Sequence, residues 1–559
     1  MTGADDSEIA LSATRPSSAI PGIAVIALAV ALPAITYVGG LGFYSDDWAF
    51  IHLLHFAPDQ SFTGIYRELA KLPNVAVRPG QIVWYAIFDG LNPGAILAVH
   101  IANHVVFALG GVILYLALRS LGSLGGCAFT IALIYVCMPQ FSAERVWYAN
   151  HQSSLSFLFF ALTLLFLARD KGRSLAGAIG IFASTAASLL CYEFFGFILL
   201  AAPALIGLAG GLTLRALPRD RTVWRGFLAV ASAFVATMTF KLAVGGGLGT
   251  VAMASSPGNI AQYAGAILFL FAKMAWLVLL RLGLFLPGTS IAALSGHFAS
   301  SSALAVALAV GALVYLLCKA NNHVAPSGPV STNAKPSPFA LMSAGAVVFM
   351  LGVMPFVPNL AYYGAAWGEG SRGHVGAAFG GAIMAAGAVE WVFRRNTTVG
   401  ALVMAVYCAA GAGLLALLGQ TWAEAAQKQN VLVSAATRID PANLSGRTLL
   451  LFRTCPFYGS GPIFPYGWDF ERRLQVESGD LLKRADVITD AAWLGVDGLH
   501  TVSDVERVHP YTGLLIYDLR AGDLRSIDSP GEARTYFGQR PIKGSAGCNF
   551  ANEIGVPPY

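Results

Sequence analysis

The chain of 559 residues is 56% hydrophobic and only 12% charged, with a formal net charge of +5. Soluble domains average about a quarter charged residues, so this composition excludes an ordinary soluble protein and places most of the chain in lipid. The basic residues lie in short clusters between apolar segments. No nucleic acid is expected as a partner, because binding it requires a continuous basic stripe.

The N-terminus begins with a polar segment, residues 1–19, followed by an apolar stretch from about 20 to 40. A bilayer is crossed by roughly 20 residues, so this stretch is long enough to span it. A secretory signal peptide would begin with basic residues and end at a small-residue cleavage site. We therefore predict a retained first helix behind a disordered cytoplasmic tail.

Further apolar stretches follow along the chain, and the connections between them alternate between rich and poor in Lys and Arg. The stretches lie at about 96–118, 124–138, 152–168, 174–190, 195–213, 226–244, 263–286, 299–318, 339–356, 375–393 and 399–418. By the positive-inside rule, the connections rich in Lys and Arg face the cytoplasm. The rule predicts an integral protein of the bacterial inner membrane, with a cytoplasmic N-terminus and a first loop (residues 41–95) outside.

The stretch 263–286 breaks this alternation, because a full crossing there would put Arg394 and Arg395 outside. It contains Lys273 and Arg281 and ends before Pro287. We expect a re-entrant or surface-lying helix, which leaves eleven spans. The alternative is an ordinary spanning helix whose two cations extend to the interfaces.

The predicted fold is an α-helical polytopic membrane protein of about eleven transmembrane helices with a C-terminal mixed α/β domain. The membrane domain covers residues 20–419, with outer loops at 41–95 (first loop), 139–151 (second loop), 245–298 (third loop) and 355–374 (last loop). Beyond about residue 420 the apolar runs shorten. Strands are predicted at 448–452 and 513–517, with a hairpin over 517–525. The domain 420–559 is expected in the periplasm.

Five of the seven cysteines lie in or beside apolar stretches, where Cys behaves as a small hydrophobe. Cys455 and Cys548 are the two in the C-terminal domain. An oxidising compartment favours a disulfide bond between them. The alternative is a pair of free thiols.

The first loop carries the candidate catalytic residues, Asp46 and Asp47, directly after the first apolar stretch. Charge beside a bilayer is costly and is usually retained for function. Paired acids can act as a general base, hold a cation, or do both. The alternative is that Ser45 or Asp46 caps the following helix.

Polar side chains also lie in or near the other outer segments. His100, Asn103 and His104 share one helical face, as an interhelical hydrogen-bond cluster or, less simply, a metal site. The second loop holds Glu144, Trp147 and His151, which could line a cleft or form an interfacial aromatic belt with an exposed Glu-Arg pair.

Two more charged side chains complete the candidate site. Glu193 lies between two apolar helices, where an unpaired acid is costly. Arg372 lies in the last loop, and an arginine can bind a phosphate.

Taken in order, these segments resemble the GT-C class of membrane glycosyltransferases, which includes protein O-mannosyltransferases and the aminoarabinose transferase acting on lipid A. The resemblance covers roughly residues 20–420. It rests on the following motifs: Asp46-Asp47, Arg78-Pro79, Asn92-Pro93 leading into His100, Asn103 and His104, Pro139 with Glu144 and Trp147, Glu193, and Arg372.

The resemblance implies transfer of a hexose or pentose, with inversion, from a polyprenyl-phosphate sugar to a hydroxyl of a glycan, lipid or protein. Asp46 would be the base, and Asp47 its partner in positioning or in binding a divalent cation (Mg²⁺ or Mn²⁺). Arg78 and Arg372 would stabilise the departing phosphate. The remaining substrate-binding residues would be His100, His104, Glu144, Trp147 and Glu193.

The chain departs from that class at two points. The second acid is often Glu in the class, and a lysine often supports the phosphate-binding arginine. Lys241 or Lys273 could take that role here, but neither lies in a matching sequence context.

Two other functions fit parts of the sequence. A multi-helix transporter or flippase of a lipid-linked or anionic substrate would also carry charged groups at the membrane edge. Transporters commonly show repeated halves and polar sites at midplane, whereas these acids cluster at one face. A non-catalytic scaffold with a binding domain outside is the second alternative, and the paired acids with two arginines argue against it.

Overall fold

A computed structural model describes residues 19–89, 95–121, 124–245, 260–295, 300–323, 336–357, 364–452, 454–479, 484–488, 491–502, 506–519, 521–538 and 542–543. The predicted cytoplasmic tail, the Asn92-Pro93 motif and Cys548 lie outside these ranges, apart from Ala19.

The described residues form a mostly helical protein. Eight helices or runs of helix are long and apolar enough to cross a membrane, and four further apolar helices are shorter. The membrane-domain helices are α1 (Ile20–Ile35), α2 (Asp46–His55), α3 (Phe62–Leu69), α4 (Pro73–Ala76), α5 (Pro79–Asp89), α6 (Ile96–Arg119), α7 (Ala128–Cys137), α8 (Ala143–Val146), α9 (His151–Arg169), α10 (Leu175–Cys191), α11 (Gly196–Ala209), α12 (Arg221–Val244), α13 (Ile260–Met274), α14 (Leu286–Leu294), α15 (Ser301–His323), α16 (Pro338–Val353), α17 (Val375–Arg395) and α18 (Thr397–Thr437).

Each predicted apolar stretch coincides with a helix, but the count of eleven spans stays a prediction. The four shorter helices are Ile20–Ile35, Ala128–Cys137, Leu175–Cys191 and Gly196–Ala209. Ten to seventeen residues are fewer than the roughly 20 that cross a bilayer without help from flanking segments.

The stretch predicted to be re-entrant forms one continuous helical rod. Helix α13 passes into a π-helix over Ala275–Leu284. The segment Ala264–Leu284 has the length and hydropathy of a spanning helix. Length and hydropathy thus permit a spanning helix, and the re-entrant or surface-lying helix stays a prediction.

Helices α16 and α17 pack very closely through glycines. A Cβ on Gly352 would lie 2.3 Å from the carbonyl carbon of Gly376, and one on Gly380 would lie 2.2 Å from the Phe349 nitrogen. Small residues at helix interfaces allow such close approach in membranes. This packing fixes the start of α17, where the last loop ends.

The domain boundary predicted at residue 420 falls inside a helix. Helix α18 runs unbroken for 41 residues and buries Trp422, Gln429 and Val433 beyond that point. Hydropathy falls after Gln420, but the Ala-rich sequence that follows still favours helix. Beyond residue 420 this helix contacts the C-terminal segment, since Gln429 donates to the carbonyls of Pro462 and Ile463, and the boundary at 420 stays a prediction.

The C-terminal domain is mixed α/β, as predicted. Its helices are α19 (Pro441–Leu444), α20 (Gly467–Ser478) and α21 (Pro530–Phe537), and its strands are β1 (Thr448–Phe452), β2 (Phe457–Tyr458), β3 (Gly461–Pro462), β4 (Arg484–Val487), β5 (Ala491–Leu494), β6 (Leu499–Val502), β7 (Glu506–His509), β8 (Leu514–Asp518), β9 (Asp523–Ile527) and β10 (Ile542–Lys543).

Two four-stranded sheets, ordered β4-β1-β8-β9 and β10-β5-β6-β7, form its core beside the small β2-β3 ladder. Strand β1 pairs in parallel with both β4 and β8. The strands predicted from sequence are confirmed as β1 and β8. The predicted hairpin is confirmed as β8–β9, which closes at the Asp518–Asp523 pair with Gly522 at φ 65°.

Cys455 is disulfide-bonded, whereas five other cysteines are free: Cys127, Cys137, Cys191, Cys318 and Cys408. The bridge between Cys455 and Cys548 stays a prediction, because Cys548 lies outside the described ranges.

Candidate active site

The two aspartates are the first residues of α2, and Ser45 before them has an unusual backbone conformation. Ser45 has φ 48° and ψ −122°, a region that residues other than glycine rarely occupy. Its hydroxyl makes no cap hydrogen bond to α2 and is hydrogen-bonded to Glu369 instead. A capping role for Ser45 is therefore wrong. Backbone in such regions often marks functional sites.

Asp47 is fully buried and held by two backbone amides. Its Oδ2 accepts from the Tyr44 nitrogen at 2.8 Å, and its Oδ1 accepts from the Ala149 nitrogen at 2.6 Å. Burial raises the pKa of Asp47 well above its usual value, although these two hydrogen bonds lower it. The side chain ties the first loop to the second loop and does not reach the surface.

The Asp46 side chain, in contrast, is partly exposed and lies near Arg372. Its side chain is 45% exposed, and its Oδ2 lies 3.9 Å from Nη1 of Arg372. Burial raises the pKa of the Asp46 carboxyl, and the positive charge of Arg372 lowers it. Of the two candidate catalytic residues, Asp46 is the one that a substrate can reach.

Arg372 is positioned by the short helix to which it belongs and by the ring of Trp147. It belongs to the short 3-10 helix Glu369–His374, and its guanidinium lies 5.0 Å from the centroid of the Trp147 ring. The Trp147 indole N–H donates to the Tyr44 carbonyl at 3.1 Å. Trp147 is 1% exposed, so it supports the arginine rather than presenting a free surface.

Glu369 is a site residue for which the sequence predicts no role. The Tyr466 hydroxyl donates to its Oε2 at 3.4 Å. Burial and the charge of Asp46 raise the pKa of Glu369 to about 7, and the charge of Glu369 raises the pKa of Asp47. The one local signal is its place three residues before Arg372 in the same loop. Nothing in the sequence connects it with Tyr466, which lies in the C-terminal domain.

A second charged cluster surrounds Glu193. Lys241 donates to its Oε1, and Nη2 of Arg78 lies 3.4 Å from its Oε2. Burial raises the pKa of Glu193, but the charges of Arg78 and Lys241 outweigh it and bring that pKa to about 2. The Arg78 guanidinium also lies 4.1 Å from the Tyr192 ring. One carboxylate and two cations leave a net positive charge.

Backbone contacts connect the two clusters. Gln81, in the first turn of α5 after Arg78, donates to the Ala149 carbonyl at 3.4 Å, and Ala149 also binds Asp47. A Cβ on Gly376 would lie 2.7 Å from the carbonyl oxygen of Phe194, next to Glu193. The structure thus brings together Asp46, Asp47, Trp147 and Arg372 in one cluster, and Arg78, Glu193 and Lys241 in a neighbouring one.

The predicted substrate contacts of the two histidines are not supported. His100 and His104 are buried, with exposures of 0% and 7%. His104 Nδ1 donates to the His100 carbonyl at 2.7 Å, and His104 Nε2 lies 2.9 Å from the Tyr37 hydroxyl. The interhelical hydrogen-bond cluster, the simpler interpretation of this face, agrees with these bonds.

Glu144 does not line a cleft either, and the exposed Glu-Arg pair that was the alternative is wrong. Glu144 and Arg145 are 0% and 1% exposed. Burial raises the pKa of Glu144 well above its usual value. The backbone of this short helix is what shapes the site, because the Glu144 carbonyl accepts from Asn103 and the Ala143 nitrogen donates to the Ser371 hydroxyl.

The predicted divalent cation does not fit these side chains. Asp47, its proposed ligand, uses both oxygens for backbone amides and is enclosed. Within the described ranges, no group of three or more His, Cys, Asp or Glu side chains could hold a metal ion. Arg372 already provides a positive charge beside Asp46.

Two apolar cavities lie elsewhere, among the membrane helices. One of about 660 Å³ is lined by residues of α6, α9, α11, α16 and α17, including Leu164 and Phe379. The other, of about 680 Å³, lies between the π-helix and α16, α17 and α18. Neither contains a residue of the two charged clusters.

No family model matches the chain, and no curated protein matches it. Among solved structures, it is similar to the crystal structure of the Archaeoglobus fulgidus oligosaccharyltransferase, tethered with an acceptor peptide containing the NVT sequon via a disulfide bond. The TM-score is 0.37 and the identity 13%, over 84% of this chain and 64% of that chain. The chain thus spans less than two thirds of that protein, and a similarity this low supports no functional conclusion.

Proposed function

We propose that the protein is a membrane glycosyltransferase that moves a sugar from a polyprenyl-phosphate donor to an acceptor hydroxyl at the outer face of the membrane. The observation that carries the proposal is the half-exposed Asp46 carboxylate beside the Arg372 guanidinium. A base next to a cation is what this transfer requires, because a proton leaves one reactant while negative charge develops on the other.

The reaction is a single displacement with inversion. The acceptor oxygen forms a bond to the anomeric carbon as the bond from that carbon to the phosphate oxygen breaks. The hydroxyl proton passes to the Asp46 carboxylate, and the bonding electron pair leaves with the polyprenyl phosphate. Asp47 acts as a positioning residue, because its bonds to Tyr44 and Ala149 hold the turn that presents Asp46.

The cluster of Arg78, Glu193 and Lys241 binds the donor phosphate. Its two cations exceed its one carboxylate, so the net charge attracts an anion. Lys241 there takes the role of the lysine that accompanies the phosphate-binding arginine. Arg372 stabilises the charge that appears on the leaving group.

The first experiment measures transfer directly. Purified protein in lipid nanodiscs is mixed with a radiolabelled polyprenyl-phosphate sugar and an extract of cell-envelope glycans, lipids and proteins. We expect label to move to the acceptor fraction with wild-type protein and not with Asp46→Asn. In sealed liposomes, movement of the intact donor across the bilayer without transfer of its sugar would indicate a flippase and contradict the proposal.

A further inference from the structure

The C-terminal domain reaches the acids of the candidate active site through one turn. Tyr466 immediately precedes α20, and its hydroxyl donates to Glu369. The charge of Glu369 raises the pKa of the Tyr466 phenol, so this group remains a hydrogen-bond donor. The turn therefore belongs to the same surface as Asp46.

This turn carries two aromatic rings that stack on each other. Tyr466 and Trp468 are half-buried, and their rings are nearly parallel, with 5.5 Å between centroids and an interplanar angle of 6°. Gly467, between them, lies so close to Asp486 that a Cβ there would overlap the Oδ1 atom of that carboxylate. A side chain at this position would require the Asp486 carboxylate to move, so the glycine allows the turn to lie close to β4.

The turn is also held rigidly against α2. The Arg473 guanidinium lies 4.5 Å from the Trp48 ring and donates to Gln429 at 2.9 Å. Arg472 lies 3.3 Å from the His52 imidazole. Because Trp48 and His52 belong to the helix that begins at Asp46, the ring pair keeps a defined position relative to that carboxylate.

Buried oxygens without a partner lie next to the rings. Oδ2 of Asp469 and Oε1 of Glu369 have no hydrogen-bond partner among the described residues, and Asp469 is 0% exposed. A buried polar atom without a partner is costly, so Oε1 of the half-buried Glu369 favours a ligand that brings a hydroxyl group.

We propose that Tyr466 and Trp468 form the acceptor subsite, a platform for a neutral pyranose ring. The outer face of this stacked pair offers an apolar surface with a polar edge, which suits the C–H face of a sugar. Glu369 accepts from one of its hydroxyls, and the charges of Asp46 and Glu369 repel acidic rings. The inference rests on the proposed function and deepens it, because it selects a glycan among the acceptors.

The test measures glycan binding without any transfer. Full-length protein in nanodiscs is applied to an array of neutral pyranose oligosaccharides, together with uronic-acid oligosaccharides and Ser/Thr-rich peptides. We expect wild-type protein to retain neutral oligosaccharides, and Trp468→Ala to weaken this binding at least tenfold. Trp468→Tyr, which keeps a flat ring, restores most of it.

A matched control is Trp493→Ala, in strand β5 of the same domain. Trp493 is 41% exposed and stacks on His500 with 5.2 Å between ring centroids. We expect this variant to bind as wild type does. Equal loss in both variants, no loss in Trp468→Ala, no pyranose binding by wild type, or retention of peptides alone would each overturn the proposal.

Binding on this array, compared with transfer activity, distinguishes the role of the ring pair from the role of Asp46. Asp46→Asn should keep its glycan binding and lose transfer. Normal transfer by Asp46→Asn with Trp468-dependent glycan binding would contradict the proposed role of Asp46 and leave the platform standing.

Discussion

The Asp46 carboxylate lies 3.9 Å from the Arg372 guanidinium, which joins the loop after the first helix to the loop before α17. Neither residue is fully buried, whereas the neighbouring Asp47 is enclosed. Two adjacent acids in the sequence therefore have different environments. One is available for chemistry, and the other holds the backbone from which the first projects.

Asp47→Asn should destabilise the protein and lower its activity. An amide can offer only one oxygen to the two backbone N–H groups that the carboxylate now satisfies, and a buried donor left unpaired costs about 1–3 kcal/mol. Thermal unfolding in detergent measures this as a lower Tm. Asp46→Asn is the matched control and should keep the wild-type Tm, because its side chain is 45% exposed. A wild-type Tm for Asp47→Asn would refute the positioning role.

The acid limb of the pH profile of kcat/KM should report the ionisation of Asp46. Burial raises the pKa of this carboxyl and Arg372 lowers it. Removing the cation in Arg372→Gln raises that pKa further, so the acid limb should move to higher pH. Arg372→Lys retains the charge and should keep the limb near its wild-type position. A shift to lower pH in Arg372→Gln would contradict the assignment.

Lys241→Met should weaken donor use selectively. The ammonium group and Arg78 share the Glu193 carboxylate, and a charge-assisted hydrogen bond contributes about 1.5–3 kcal/mol. We expect KM for the polyprenyl-phosphate sugar to rise roughly 10- to 100-fold, with KM for the acceptor unchanged. Lys428→Met, which removes an exposed lysine 4.5 Å from the Tyr458 ring, is the control. An effect on acceptor KM alone would place the donor phosphate elsewhere.

The predicted topology, with the end of α18 outside and the end of α17 inside, implies opposite results for two reporter fusions. Alkaline phosphatase fused after Thr437, where α18 ends, should be active because this end is predicted to lie in the periplasm. The same enzyme fused after Arg395, at the end of α17, should be inactive because the basic pair marks the cytoplasmic side. Reversed activities would put the candidate site on the cytoplasmic face.

Local patterns in the sequence were sufficient for most elements of the fold. The strands Thr448–Phe452 and Leu514–Asp518 follow from short apolar runs with a turn at Gly522, and the apolar stretches coincide with helices. The fall in hydropathy at residue 420 does not mark the end of α18, because helix propensity continues beyond it. An average of hydropathy over a window detects where the apolar region ends, but it does not detect that the helix continues beyond that point.

The candidate site was predictable by residue type but not by geometry. Asp46, Arg78, Glu193 and Arg372 are charges in segments beside apolar helices, which sequence detects. Asp47 is enclosed, unlike Asp46, because it binds the Ala149 amide. Glu369 is bound by the hydroxyl of Tyr466. Both are long-range contacts that spacing does not encode. For the same reason the histidines and Glu144, which look accessible near helix ends, are buried by distant segments.

The most direct test of the account is transfer by Asp46→Asn in a single turnover with the donor already bound. This substitution removes the base while leaving the Asp47 hydrogen bonds and the Arg78 cluster intact. The account predicts that donor binding stays within about twofold of wild type while the transfer rate falls at least 100-fold, since general bases contribute typically 10²–10⁴-fold. Transfer at the wild-type rate would show that another group takes the proton and would contradict the central role of Asp46.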